Sequence, residues 1–173
     1  MGRTLVAQLL IVGLALLAAC NDGAPTSSRV REKPVRQPAP GYVVMPGSAM
    51  AAMLHQCSRG APLPGEATWR PSPADIAAMD DAIGVGLRAL GKRQAPQGSW
   101  PHDWARQYIG IVRLGHRFIY GSFAPLEALA QDAAMGLPAD EPFEVCDGGP
   151  SFFGAEYNVA AGRITRMDFN GPY

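Results

Sequence analysis

The sequence predicts an α+β domain in which N-terminal helices pack on one face of a four- or five-stranded antiparallel sheet. Three observations carry that prediction: a capped amphipathic stripe from Pro73 to Leu90, a β-type hairpin from Gln107 to Phe123, and a second hairpin over the last thirty residues. Helical material then precedes sheet material along the chain, which is the order of an α+β fold rather than of alternating βαβ units.

The run Met45 to His55 is rich in Ala and Met with apolar residues at helical spacing, and predicts a short helix leading to Cys57. Ser58 to Arg70 contains Gly60, Pro62, Pro64 and Gly65 and predicts an irregular connection. Ser72 is a good N-cap, Pro73 suits the first helical position, and Asp75 complements the helix dipole. Ile76, Met79, Ile83, Leu87 and Leu90 then recur every three or four residues, and Gly91 offers a C-terminal stop. Gln94 to Trp100 predicts a loop.

Gln107 to Val112 and Arg117 to Phe123 are β-type runs on either side of the Leu114-Gly115 break, so they predict a hairpin. Ala124 to Met135 permits a helix but lacks a clean stripe, and Phe143 to Cys146 predicts a short strand. Phe152 to Val159 and Arg163 to Asn170 form the last hairpin, joined by Ala160-Ala161-Gly162 with the glycine left-handed. Closure by residues 159 and 163 pairs Tyr157 with Thr165, Ala155 with Met167 and Phe153 with Phe169, and sets Glu156 opposite Arg166. One face is then mostly apolar and the other polar.

The N-terminus is of a different kind. An apolar run from Leu5 through Leu17, broken only by Gln8 and Gly13, follows a single Arg3. It falls short of the roughly twenty residues that a spanning helix needs, and no basic stop-transfer cluster follows. It ends Leu17-Ala18-Ala19-Cys20, which resembles the lipobox of bacterial lipoproteins. The resemblance implies that residues 1–19 are removed as a signal peptide and that Cys20 is acylated. The acylated Cys20 would hold the chain on membrane lipid without any further contact, since each buried methylene contributes about 0.8 kcal/mol. Asn21, where the best-known retention signal of that family places Asp, implies sorting to the outer membrane on its periplasmic side. An ordinary signal peptide ending in an accidental cysteine is the alternative.

Residues 20–40 are rich in Pro, Gly, Ser and charge and predict a disordered tether, leaving 41–173 as a single domain. From Gly41 onward, ten Lys and Arg stand against thirteen Asp and Glu, a net charge near minus three, which argues against nucleic acid as a partner. With Cys20 committed to lipid, Cys57 and Cys146 remain, and in an oxidising compartment only one intramolecular disulfide is possible. A metal site or a catalytic thiol is the rival reading, and neither cysteine has suitable partners nearby in the sequence. No metal and no cofactor are expected.

Among candidate sites, Asp147, Gly148 and Gly149 before Pro150 form either an anion-binding nest or a tight turn. Trp69, Trp100 and Trp104 suit either a saccharide platform or a small core, and Trp100 with Trp104 is the candidate binding pair. Ser151 lacks the glycine spacing of a nucleophile elbow, because Phe153 stands where the second glycine belongs. His55, His102 and His116 lie far apart, and His102 beside Asp103 predicts an exposed loop rather than an acid-base pair. No catalytic residue is assigned. A pocket gathering His102, Asp103, Arg106 and Asp147 is the form an enzyme would take.

Cys146 to Tyr157, together with the Tyr108 to Tyr120 hairpin, resembles the C-terminal signature of small uncharacterised proteobacterial exported proteins, a resemblance that carries no activity with it. The functional expectation is a lipid-anchored interaction module that binds a protein or cell-wall partner. An inhibitor or immunity protein against an envelope-degrading enzyme is its sharpest form. A structural role in outer-membrane maintenance and an envelope hydrolase are the alternatives.

Overall fold

Strand alternation and one amphipathic helix together build a mixed six-stranded sheet with helical cover. The computed structural model describes residues 41–90, 96–128 and 141–171, all within the compact unit Pro34–Tyr173. The expected signal peptide, the lipidated Cys20, the tether up to residue 40, Gly91 and most of the Ala124 to Met135 segment lie outside the described residues.

The elements run β1 (Tyr42–Val44), α1 (Met50–Leu54), β2 (Ala67–Trp69), α2 (Pro73–Ala89), β3 (Trp104–Arg113), β4 (His116–Pro125), β5 (Phe153–Asn158) and β6 (Arg163–Phe169). Short 3-10 turns at Gly47–Ala49 and Gly149–Ser151 precede α1 and β5. The sheet order is β1-β3-β4-β5-β6, with β2 also on β3. One edge of β3 is thus shared: Arg106 to Tyr108 pair in parallel with β1, and Gly110 to Val112 pair antiparallel with β2.

The α+β class is as expected. The sheet differs from expectation in carrying six strands rather than four or five and in being mixed rather than antiparallel throughout. The helices also divide between its faces. Ile76, Met79, Ile83 and Leu87 of α2 cluster with Trp104, Tyr108, Ile119, Phe123, Phe153, Ala155 and Tyr157. Met53 of α1 clusters on the other side with Met45, Ile109, Ile111 and Tyr120. Since successive strand residues point to opposite faces, Tyr108 with Ile109 and Ile119 with Tyr120 serve the two clusters in alternation.

Helix α2 begins as its sequence requires. The Asp75 N–H donates to Ser72 Oγ, and the Ser72 N–H donates back to the Asp75 carboxylate at 2.9 Å, closing a capping box. The Met45 to His55 helix is shorter than expected, and Ser58 to Arg70 is not irregular throughout, because its last residues form β2. Gly110 explains why β2 comes so close: a Cβ there would run into the Trp69 backbone.

Phe143 to Cys146 is not a strand. Gln107 Nε2 donates to the Glu141 carbonyl at 2.7 Å, and the Phe143 N–H donates to Gln107 Oε1 at 3.1 Å. A side-chain amide thus takes the place of a ladder, and the segment lies on the sheet without joining it. In the last hairpin, Phe153, Ala155 and Glu156 face Phe169, Met167 and Arg166 as expected, but a bulge follows and Tyr157 pairs with Ile164 instead of Thr165. Thr165 is the extra residue, and its hydroxyl bonds Glu156 Oε1 at 2.8 Å. Gly162 takes the left-handed φ of 63° that the turn needs.

Among the described residues no helix is long and apolar enough to cross a membrane.

Candidate functional site

An open cleft of about 500 Å3 lies beside β1, lined by Tyr42, Val43, Val44, Arg70, Pro71 and Pro73. Two elements make it. Strand β1 places Tyr42, Val43 and Val44 against β3, while the link from β2 to α2 turns at Pro71 and Pro73, whose missing N–H groups prevent it from continuing the ladder. Among the described residues β1 pairs only with β3, so its outer edge borders the cleft. Arg70 is exposed and supplies the cationic side of an otherwise apolar wall.

Behind Tyr42 sits a buried polar network. Arg106 Nη1 donates to Asp80 Oδ2 at 2.5 Å, the Tyr108 hydroxyl donates to Asp80 Oδ1, and Trp100 Nε1 donates to the Asp80 carbonyl at 2.8 Å. The Tyr42 ring meets the Tyr108 ring edge-on, and the Arg106 guanidinium lies 5.7 Å from the Tyr42 centroid. Burial holds the Asp80 carboxyl above its ordinary value, against the opposing pull of Tyr108 and Arg106. Burial likewise pushes the Tyr108 phenol well up. The network joins α2 to β3 and fixes the inner wall of the cleft.

On the opposite face the chain from Ser58 to Glu66 is strapped over the polar side of the sheet. Arg59 donates to Asn170 Oδ1 at 2.6 Å and to Ser122 Oγ at 2.7 Å, Arg113 donates to the Leu63 carbonyl and to Glu156, and Arg166 donates to the Ala61 carbonyl. Glu66 accepts the Leu114 and Gly115 N–H groups at the β3–β4 turn. These N–H groups, that of Gly115 first, hold its carboxyl below the ordinary value.

Cys57 and Cys146 form the expected disulfide, with Cα atoms 5.0 Å apart. It is exposed, and it does not stand alone. Glu144 offers a carboxylate oxygen within 4.8 Å of both sulfurs, and His55 Nδ1 lies 3.0 Å from Glu144 Oε1. Each neighbour stands two residues before a cysteine, His55 before Cys57 and Glu144 before Cys146, so partners for a metal were visible in the sequence, contrary to expectation, and the fold brings the two pairs together.

The remaining sequence candidates are dispersed. Trp104 is buried in the core, and Trp100 packs partly buried against Trp104, Phe123 and Phe153, so the pair presents no shared surface platform. Trp69 lies half-buried under the Arg117 guanidinium. Gly148 and Gly149 take φ of 88° and 60° in the turn leading to β5, and the Asp147 carbonyl accepts from Asn170 Nδ2 at 2.7 Å. Asp103 accepts from the Ser99 N–H while Arg106 is committed to Asp80, so His102, Asp103, Arg106 and Asp147 do not share one site.

The sequence singled out neither Asp80 nor Tyr108 as a site residue and grouped Arg106 with other partners, yet each had a visible signal. Asp80 stands four residues after Ile76 and three before Ile83, on the buried stripe of α2. Arg106 and Tyr108 share strand parity with the buried Trp104. An acid on one apolar face and a base on the facing one imply a buried pair.

No family model, no curated protein and no solved structure matches the chain.

Proposed function

We propose that this chain is a lipid-anchored, periplasm-facing interaction module of the bacterial envelope, held in the outer membrane by acylated Cys20 and acting as an inhibitor or immunity protein toward an envelope-degrading enzyme. The observation that carries this reading is the cleft beside β1, where a short edge strand, an apolar wall and the Arg70 cation lie together. An extended partner segment would add to the β1 edge by main-chain hydrogen bonds, bury apolar side chains against Tyr42, Val44, Pro71 and Pro73, and place a carboxylate at Arg70. The lipobox ending at Cys20 supports the address.

The test takes the mature lipoprotein in detergent and adds it to cell-wall-degrading and lipid-degrading enzymes. Inhibition of one of them is expected, weakened at least tenfold by Arg70→Glu and by Val44→Pro. The second removes an N–H from the outer edge of β1, since the Met45 N–H bonds Tyr108 on the inner side and successive N–H groups alternate. Undiminished inhibition by both variants would move the contact away from the cleft, and activity of every such enzyme at saturating lipoprotein would refute the inhibitor reading. Incorporation of labelled palmitate, lost in Cys20→Ser, checks the anchor independently.

A further inference from the structure

The exposed disulfide and its two neighbours have the composition of a metal site in latent form. Cys57, Cys146 and Glu144 present ligand atoms that all lie within 4.8 Å of one another, and His55 Nδ1 reaches Glu144 Oε1 at 3.0 Å. We propose that reduction of the Cys57–Cys146 bond converts this cluster into a tetrahedral zinc site with Cys57, Cys146, Glu144 and His55 as its four ligands.

The geometry suits the ion. Tetrahedral zinc, with sulfur at about 2.3 Å and nitrogen or oxygen at about 2.0 to 2.1 Å, sets a nitrogen and an oxygen ligand roughly 3.3 Å apart and two sulfurs roughly 3.8 Å apart. The His55–Glu144 separation is already near the first value. The sulfurs, released from their covalent bond, must move apart, and the His55 ring must swing toward them, since the atoms within 4.8 Å of one another are those of Cys57, Cys146 and Glu144 alone. Both neighbours can adjust, since the His55 side chain is 76% exposed and that of Glu144 is 37% exposed. Two thiolates with an imidazole and a carboxylate form a donor set that favours zinc over magnesium or calcium.

The backbone that carries the ligands is held by bonds other than the disulfide. Asn170 Nδ2 donates to the Val145 and Asp147 carbonyls, Gln107 binds Glu141 and Phe143, and the Gly171 N–H donates to Ser58 Oγ. Reduction therefore frees the sulfurs while these bonds keep residues 141–147 on the sheet. The chemistry balances with a dithiol reductant of the thioredoxin class: it passes two electrons and two protons to the S–S bond and leaves as its own disulfide. Zinc then displaces both thiol protons to solvent.

The experiment uses the mature protein in detergent, oxidised or reduced with a phosphine that carries no thiol, and titrates Co2+ as a spectroscopic stand-in before Zn2+. The reduced chain should bind one equivalent and show thiolate-to-cobalt charge transfer with the intense visible bands of a tetrahedral site, and the oxidised chain should show neither. His55→Ala and Glu144→Gln should each weaken binding at least about tenfold. Absence of the charge-transfer band, or wild-type affinity in either variant, overturns the proposal. Should reduction loosen the fold, zinc should raise the Tm of the reduced wild type and fail to raise that of reduced Glu144→Gln. A zinc effect on Tm that is equal in the two proteins also overturns it.

Discussion

Arg106 and Asp80 show how one residue's charge constrains its neighbours. Both are buried, and their mutual attraction stabilises the fold only because Tyr108 satisfies the second carboxylate oxygen. Arg106→Met should cost about 3 to 5 kcal/mol at neutral pH, because it leaves the Asp80 charge buried without its cation. Urea unfolding measures this, and a loss below about 1 kcal/mol would mean that the pair contributes little. The pH dependence follows from the raised folded-state value of Asp80. The folded chain holds that proton more tightly than the unfolded chain, so the stability linked to it is fully present below about pH 3.8 and is lost as pH rises through the elevated value. Removing Arg106 takes away a pull that opposes burial, so this window should shift to higher pH in the variant. Glu66 has the opposite sign. Its carboxyl lies below 4.5 because Gly115 and Leu114 donate to it, so its contribution is present above that value and lost as pH falls through the lower folded one. The Gly115 amide shift, followed by NMR, should titrate with Glu66 and stop doing so in Glu66→Gln. Arg106 and Tyr108 carried a legible signal in their strand parity, but their partner could be named only once α2 was seen packed on the sheet face to which they point.

Helix α2 and the two long hairpins follow local rules closely, and their sequences announced them. Ser72 and Asp75 close the capping box, so Ser72→Ala should cost about 1 kcal/mol and lower the Tm by roughly 4 °C in a thermal melt. An unchanged melt would show that the helix start is held by its packing alone. The last hairpin agreed with its expected register at Phe153, Ala155 and Glu156, where alternation governs, and departed at Tyr157. The reason is chemical: Thr165 turns its hydroxyl to Glu156 Oε1, and the strand absorbs the extra residue as a bulge. Strand β2 is different in kind. It is three residues long and sits on β3 because Gly110 has no Cβ to strike Trp69. Gly110→Ala should push the two strands apart at a cost of about 1 to 3 kcal/mol, with enhanced hydrogen exchange at Thr68 and Trp69 as the local readout. Protection of those amides equal to that of the wild type would refute the contact.

Across the whole molecule, the Cys57–Cys146 bond closes a loop of 89 residues between the layer that contains α1 and the turn that enters β5. Cys57→Ser with Cys146→Ser should lower stability by about 4 to 5 kcal/mol on the chain-entropy account, as should reduction without metal. A denaturation midpoint equal to that of the oxidised wild type would contradict this. The same bond lies between α1 on one face of the sheet and the Asn170 bonds that hold residues 145–147, so covalent and hydrogen-bonded fastening meet at one place.

What the sequence determined by itself are the features written in local periodicity or simple counting: the capped helix from Pro73, the hairpins around Leu114-Gly115 and Gly162, and the pairing of Cys57 with Cys146. Only the tertiary structure decided that β1 and β2 share one edge of β3, that the helices cover opposite faces, that Asp80 meets Arg106 and Tyr108, and that His55 meets Glu144 across the disulfide. The physical reason is range. A helix stripe or a hairpin register is set by neighbours a few residues away, whereas a three-residue strand or a ligand cluster is defined by partners that come together only when the sheet closes.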